Sequence, residues 1–273
     1  MPNKKLVITD LDDTLWQWLT TWYGGYKGFI NYLHEHEGVP EEQASEAWAR
    51  SYGDGGGIEF PPTADYLIKY TDLTTKKAIA AYPEAVRVSR RSRDESLLMF
   101  DGVADTLRTL ADSGVTVVAH TDSPITAAVH RLHTAGLDGA VKEVYAAPVF
   151  EDFGYGMYLL NTVDVHVGQW EFKPSTRVLN EIIRYHGASL DNTFYVGDSL
   201  RRDMTMARTA GITGLWAKYG LDYPGRDDAL NAVYSVQRYR AFPAEGGLAA
   251  TANGAEGVTE LGGFSDVLAH VLG

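Results

Sequence analysis

Two carboxylates, Asp10 and Asp12, follow directly on the apolar run Leu6–Thr9, and Thr14 completes an Asp-x-Asp-x-Thr sequence. Carboxylates crowded at a strand end repel one another unless a cation sits among them. This stretch therefore points to a divalent metal and a reaction that uses carboxylates. Three further places carry comparable residues. Thr121 and Asp122 follow the apolar run 115–119. Lys173 precedes Pro174. Gly197-Asp198-Ser199 follows the run 193–196, with Asp203 five residues beyond Asp198. In an open parallel sheet the carboxyl ends of the strands meet at one crevice, where ligands bind. Residues far apart in sequence would converge there.

The elements needed to position them are legible as alternating strands and helices. Residues 6–9, 115–119, 141–146, 193–196 and 212–217 read as strands. Residues 102–113, 124–135, 174–185, 200–209 and 264–272 read as helices. Gly114, Gly136 and Gly187 stand where three of these helices should end. Ser123 is the expected N-cap of the second, and Pro124 its first residue. Strands alternating with helices of this length predict an α/β fold, a doubly wound and mainly parallel sheet covered on both faces.

Residues 19–97 break the rhythm. Their periodic pieces, 26–37, 41–52, 64–70 and 75–93, are all helical, with a loop marked by glycines 53–57 and by Pro61-Pro62. A core domain of residues 1–18 and 98–273, with an inserted helical subdomain at 19–97, is the predicted organisation. Two stretches look like additions. Residues 147–170 are rich in aromatics and glycine, and the alternation of 163–167 suggests a small hairpin. Residues 223–257 read as mostly loop with one short helix.

Bulk properties narrow the classes of function. The 273-residue chain carries a formal net charge of −12, which opposes binding to nucleic acid or anionic membranes. It has no cysteine, so disulfides, zinc–thiolate sites and thiol catalysis are excluded. No apolar run approaches the roughly 20 residues needed to span a bilayer, and no signal-peptide pattern opens the chain. A cytoplasmic protein is expected.

Asp-x-Asp-x-Thr, Thr121, Lys173-Pro and Gly-Asp-Ser with Asp203, in this order, resemble the haloacid dehalogenase (HAD) superfamily. The resemblance covers the whole α/β part, and the insertion after the first strand looks like that superfamily's C1 cap. It implies a Mg²⁺-dependent phosphatase acting on a small phosphorylated metabolite. Asp10 would be the nucleophile and form an aspartyl-phosphate. Asp12 would protonate the leaving oxygen and then activate water. Thr14 would fix their loop. Mg²⁺ would be held by the carboxylates of Asp10 and Asp198 and the backbone carbonyl of Asp12. Thr121, Asp122 and Lys173 would bind the phosphoryl group. Asp203 would orient Lys173 or complete the outer metal shell. Four carboxylates against Lys173 and Mg²⁺ leave the site at −1, and a proton on Asp12 brings it to neutrality.

Other readings of the same residues are ordinary ones. Asp12, Asp13 and Thr14 suit a turn, Asp198 and Ser199 could cap a helix, Lys173 alone would be a solvated lysine, and Thr121 alone is a strand-end residue. All four holding together in this order is improbable. A phosphomutase uses the same covalent chemistry. A 2-haloacid dehalogenase is disfavoured because a halide needs no acid at position 12. A non-catalytic phosphate- or metabolite-binding module should have lost a motif residue. His120 reads as a structural histidine, the cluster Arg87, Arg90, Arg91 and Arg93 as a solvated helix face, and Asp122 stands where many family members have Asn. The sequence leaves the substrate and the oligomeric state open.

Overall fold

A computed structural model describes residues 4–53, 64–141, 143–148, 163–166, 171–237 and 258–273. In chain order its elements are β1 (Leu6–Thr9), α1 (Trp18–Glu37), α2 (Glu41–Gly53), α3 (Ala64–Tyr70), α4 (Thr75–Glu95), α5 (Val103–Asp112), β2 (Thr116–Pro124), α6 (Ile125–Thr134), β3 (Glu143–Ala147), β4 (Asp164–His166), α7 (Arg177–His186), β5 (Thr193–Gly197), α8 (Thr205–Ala210), β6 (Thr213–Trp216), α9 (Arg226–Gln237), β7 (Thr259–Glu260) and α10 (Val267–Leu272). The chain divides into two units. One comprises Met1–Gln17, Leu98–Tyr223 and Ala249–Gly273, the other Trp18–Leu97 and Pro224–Leu248.

The first unit is built on a seven-stranded sheet of order β4-β3-β2-β1-β5-β6-β7, in which every pairing is parallel. β1 lies at its centre, with Leu6 opposite Thr116 of β2 and Thr193 of β5. All four of its residues are buried, which explains why Leu-Val-Ile-Thr reads as a continuous run rather than an alternating one. Leu6 and Ile8 join Val178, Leu179, Ile182 and Ile183 of α7 in one apolar cluster. By alternation Val7 faces the other way. The α/β fold with a parallel sheet is the one expected, with sharper boundaries.

Several boundaries differ for local reasons. β2 runs on to Pro124, with a register shift against β3 between Thr121 and Pro124. Ser123 is therefore strand, and Pro124 rather than Ser123 occupies the N-cap of α6. The helix expected from Pro174 starts at Arg177, because Lys173–Ser175 form a turn closed by Ser175 N–H donating to the Phe172 carbonyl at 3.0 Å. The helix expected over 200–209 opens as one turn of π-helix, Leu200–Met204, before α8. The segment expected as part of a hairpin contributes β4, which pairs parallel to β3. That pairing excludes a hairpin between these two strands, and residues 149–162 and 167–170 lie outside those described.

The second unit is helical. α1 and α4 pack along each other, and Ser89 Oγ donates to the Gly25 carbonyl at 2.8 Å. The stretch 224–248, part of a segment that reads from sequence as core and as mostly loop with one short helix, instead belongs here, and the short helix is present. Its helix α9 packs on α1 and α2, burying Ala229, Val233 and Val236. Their spacing of four and three is one helical face, but three positions in a polar segment make a weak periodicity. Residues 238–257 and the glycine-rich 54–63 lie outside the described residues.

Candidate active site

The first strand delivers its chemistry through a tightly held loop. Asp10 N–H donates to the Val196 carbonyl of β5 at 2.8 Å, and Thr9 Oγ1 donates to the Asp10 carbonyl at 2.7 Å. Asp13, φ 54°, takes the left-handed conformation that turns the chain, and its N–H closes on the Trp16 carbonyl at 2.9 Å. Asp and Asn tolerate this region better than other non-glycine residues. The turn is braced from the segment after β6. Tyr223 Oη donates to Asp13 Oδ1 at 2.8 Å, and Tyr219 Oη donates to the Thr14 carbonyl at 2.8 Å. Gly220 lies so close to Asp13 that a Cβ there would sit 1.7 Å from its carbonyl oxygen. Thr14 is thus tied through its carbonyl, while its hydroxyl is buried with no hydrogen-bond partner among the described residues.

The end of β5 supplies the facing carboxylates. Asp198 follows Gly197, and the π-turn brings Asp203 back beneath it, with Asp203 Oδ2 accepting the Ser199 N–H at 3.0 Å. A Cβ on Gly197 would lie 2.6 Å from the Asp203 carboxyl carbon, so only glycine permits the approach. Trp216 Nε1 of β6 donates to the Asp198 carbonyl at 2.7 Å. One carboxylate oxygen from each of Asp10, Asp198 and Asp203 falls within 4.8 Å of the others.

Lys173 joins this group. Its Nζ is 2.9 Å from Asp10 Oδ1 and 2.9 Å from Asp203 Oδ1, in a nearly fully buried triad. Burial opposes the charged ammonium, but Asp10 and Asp203 outweigh it and hold the lysine well above its ordinary range. Burial, reinforced by Asp203, raises Asp10 to about 7 against the pull of Lys173. Burial first, then Asp203 and Asp10, also lifts Asp198 well above the usual carboxylate range. Buried carboxylates whose ionised forms are disfavoured by burial and by one another suit a divalent cation, whose field favours those forms. Oxygen donors are the set Mg²⁺ takes.

The remaining predicted residues fall at the same sheet edge with more specific partners. Asp122 Oδ1 accepts the Lys173 backbone N–H at 3.2 Å, and its Oδ2 lies 3.7 Å from Arg202 Nη1. Burial raises Asp122, opposed by Lys173 and Arg202. Thr121 is buried, and its Oγ1 accepts the Ser123 N–H at 3.1 Å. Asp12 stands apart from the carboxylate cluster. Its Oδ1 accepts from Trp16 Nε1 at 2.7 Å and Arg131 Nη1 at 2.5 Å, and its Oδ2 from Ser123 Oγ at 2.6 Å.

Arg131, Arg202, Ser123, Tyr219 and Tyr223 were not among the residues expected here. Asp122 was the available signal for Arg202, since an acid where an amide is usual calls for a compensating cation. Ser123 was read as a helix cap because strand β2 was expected to end earlier. His120 is fully buried, as a structural histidine should be, with Tyr195 Oη 3.2 Å from its carbonyl oxygen.

Residues 4–211 match the family model described as haloacid dehalogenase-like hydrolase. Among solved structures the chain is similar to 2-haloacid dehalogenase from Pseudomonas syringae pv. Tomato DC3000, at 20% identity over 78% of this chain and 86% of that one, TM-score 0.51. It is similar to the putative HAD-hydrolase YfnB from Bacillus subtilis bound to magnesium, at 15% identity over 99% of both chains, TM-score 0.53. It is also similar to a HAD-superfamily hydrolase, subfamily IA, variant 1, from Geobacter sulfurreducens PCA, at 14% identity over 98% and 97%, TM-score 0.53. At these identities the likeness establishes the fold. No curated protein sequence matches the chain. No helix among the described residues is long and apolar enough to cross a membrane.

Proposed function

The chain belongs to the haloacid dehalogenase-like hydrolases, and on that premise we propose that it is a Mg²⁺-dependent phosphatase that hydrolyses a small phosphorylated metabolite through an aspartyl-phosphate. The observation that carries the choice of phosphoryl over halide chemistry is Asp12. It lies two residues past Asp10, outside the Lys173 cluster, with its side chain 19% exposed. An alkoxide leaving group needs a proton and a halide does not, so an acid held at this position suits a phosphate ester.

Asp10 Oδ attacks phosphorus, the ester oxygen leaves, and Asp12 gives that oxygen its proton, so that an alcohol departs and an acyl phosphate remains on Asp10. Asp12, now a carboxylate, takes a proton from water, whose oxygen attacks phosphorus. Inorganic phosphate leaves, and Asp10 is regenerated. Lys173 supplies positive charge beside Asp10 throughout, and Asp203 fixes where its ammonium sits. Asp122 braces the Lys173 backbone, and Thr121 lies beside it for the phosphoryl oxygens. Asp10, Asp198 and the Asp12 carbonyl would hold Mg²⁺, which when bound offsets the repulsion between these carboxylates and a dianionic substrate. The helical unit is assigned the role of C1 cap, choosing the substrate.

Purified protein with Mg²⁺, screened against a panel of phosphorylated metabolites, is expected to release inorganic phosphate. Excess EDTA should abolish turnover. Asp10→Asn should lower kcat by at least about 10³-fold, since the covalent step is lost. Full turnover by Asp10→Asn would refute the covalent mechanism, and full turnover in EDTA would refute the metal.

A further inference from the structure

We propose that Arg131 is a positioning residue that, with Trp16, anchors one oxygen of Asp12 and so assigns the other, Oδ2, to proton transfer. The inference rests on the phosphatase reading of Asp12. Arg131 lies in the last turn of α6, and only 3% of its side chain is exposed. Its neighbours on this helix, Ala127, Ala128 and Leu132, are buried and apolar, so an apolar side chain would suffice to pack the helix. A guanidinium taken out of water needs a carboxylate to offset its desolvation. Arg131 meets the carboxylate of Asp12, 119 residues away.

The two oxygens of that carboxylate are held by different chemistry. Oδ1 receives two N–H donors, the Trp16 indole and the Arg131 guanidinium. Neither group accepts a hydrogen bond in return, so a proton on Oδ1 would face two donors. Oδ2 receives the Ser123 hydroxyl, which both donates and accepts and can rotate. A proton can reside on Oδ2 with Ser123 turned to accept it. Trp16 is fully buried, so the clamp on Oδ1 is backed by the core. Two fixed donors define the plane of the carboxylate, and Oδ2 then has one direction in which to deliver or collect a proton.

The test separates this role from simple packing. Arg131→Lys and Arg131→Met are compared with wild type and with Asp12→Ala, after circular dichroism and thermal melting have shown which variants fold. The first readout needs no activity: the indole ¹H–¹⁵N resonance of Trp16, assigned with a Trp16→Phe variant. It should move in each folded Arg131 variant, as it does in Asp12→Ala. A resonance unmoved in Arg131→Lys or Arg131→Met overturns the clamp. The second readout is kcat/KM, which reports attack on phosphorus, for an alkyl phosphate and for p-nitrophenyl phosphate. The nitrophenolate leaves without protonation and the alkoxide does not. The variants should lose at least about tenfold more on the alkyl ester, because the lost help is general acid catalysis. Equal losses on the two esters overturn the role in proton transfer. Arg131→Lys added to Asp12→Asn should cause no further loss on the alkyl ester, and a fully additive loss overturns action through Asp12. Wild-type protein that turns over neither ester refutes the phosphatase reading and with it the proton-transfer role, while the Trp16 resonance still decides whether Arg131 holds Asp12.

Discussion

His120 shows how one buried side chain sets a pH dependence. Burial, aided by the nearby Lys173 charge, holds its imidazole well below the ordinary value of 6.5, so the folded protein keeps it neutral. The unfolded chain binds a proton below about pH 6.5, and the native state does not follow until far lower. The unfolded state then carries more protons, and stability rises with pH across that window. The contribution is fully present above about pH 6.5 and is lost as pH falls, by about 1.4 kcal/mol for each unit until the folded value is reached. Urea unfolding of wild type and His120→Gln at pH 7.5 and 5.5 measures this. The variant, whatever its stability at pH 7.5, should lose less on acidification, and equal losses would exclude His120 as a source. The same residue marks a limit of reading from sequence. Alternation along β2 was enough to turn His120 away from Thr121 and into the core, yet its partner Tyr195 lies on β5, and pairing across non-adjacent strands leaves no local trace.

At the scale of elements, the legible parts were those that local chemistry dictates. β1 and α3 fall where composition places them, because a short β-branched run and a short helical repeat need no distant partner to be recognised. Asp10, Asp198, Asp203 and Lys173 do meet at one sheet edge, as a parallel sheet requires of residues at its strand ends. Boundaries failed where a side chain had a long-range task. Ser123 looked like a cap, but Asp12 claims its hydroxyl. The π-turn after β5 looked like plain helix, because a single inserted residue barely disturbs apolar spacing while it redirects Asp203. The brace on the first loop was not legible at all, since Tyr219, Gly220 and Tyr223 carry no motif. It makes a sharp prediction. Gly220→Ala places a methyl group against the Asp13 carbonyl and must displace either the loop or the segment after β6. A loss of about 1–3 kcal/mol is expected from such overpacking, together with a fall in kcat from the displaced Asp10 and Asp12. Thermal melting and turnover check it, and a variant indistinguishable from wild type in both would show that the brace is dispensable.

At the scale of the molecule, the helical unit is assembled from two stretches of chain. Trp18–Leu97 supplies α1 to α4, and Pro224–Leu248 returns to supply α9. Val233 is fully buried within that unit, so Val233→Asp places a charge without a partner there, at a cost of about 3 kcal/mol or more. Amide hydrogen exchange should quicken in α1 and α2, on which α9 packs, and unchanged protection in both helices would refute the assignment of α9 to this unit. The central strand has a related history. β1 is completed by residue 9, but its two neighbours lie at 116–124 and 193–197. A nascent chain emerging from the ribosome therefore carries this buried strand with one or both hydrogen-bonding edges open until β5 has been made. Such edges invite association with other chains. A fragment terminated between β2 and β5 would still expose one of them, so premature termination or a nick in this interval should yield an aggregating species, and the helices made in the meantime emerge while that hazard is greatest.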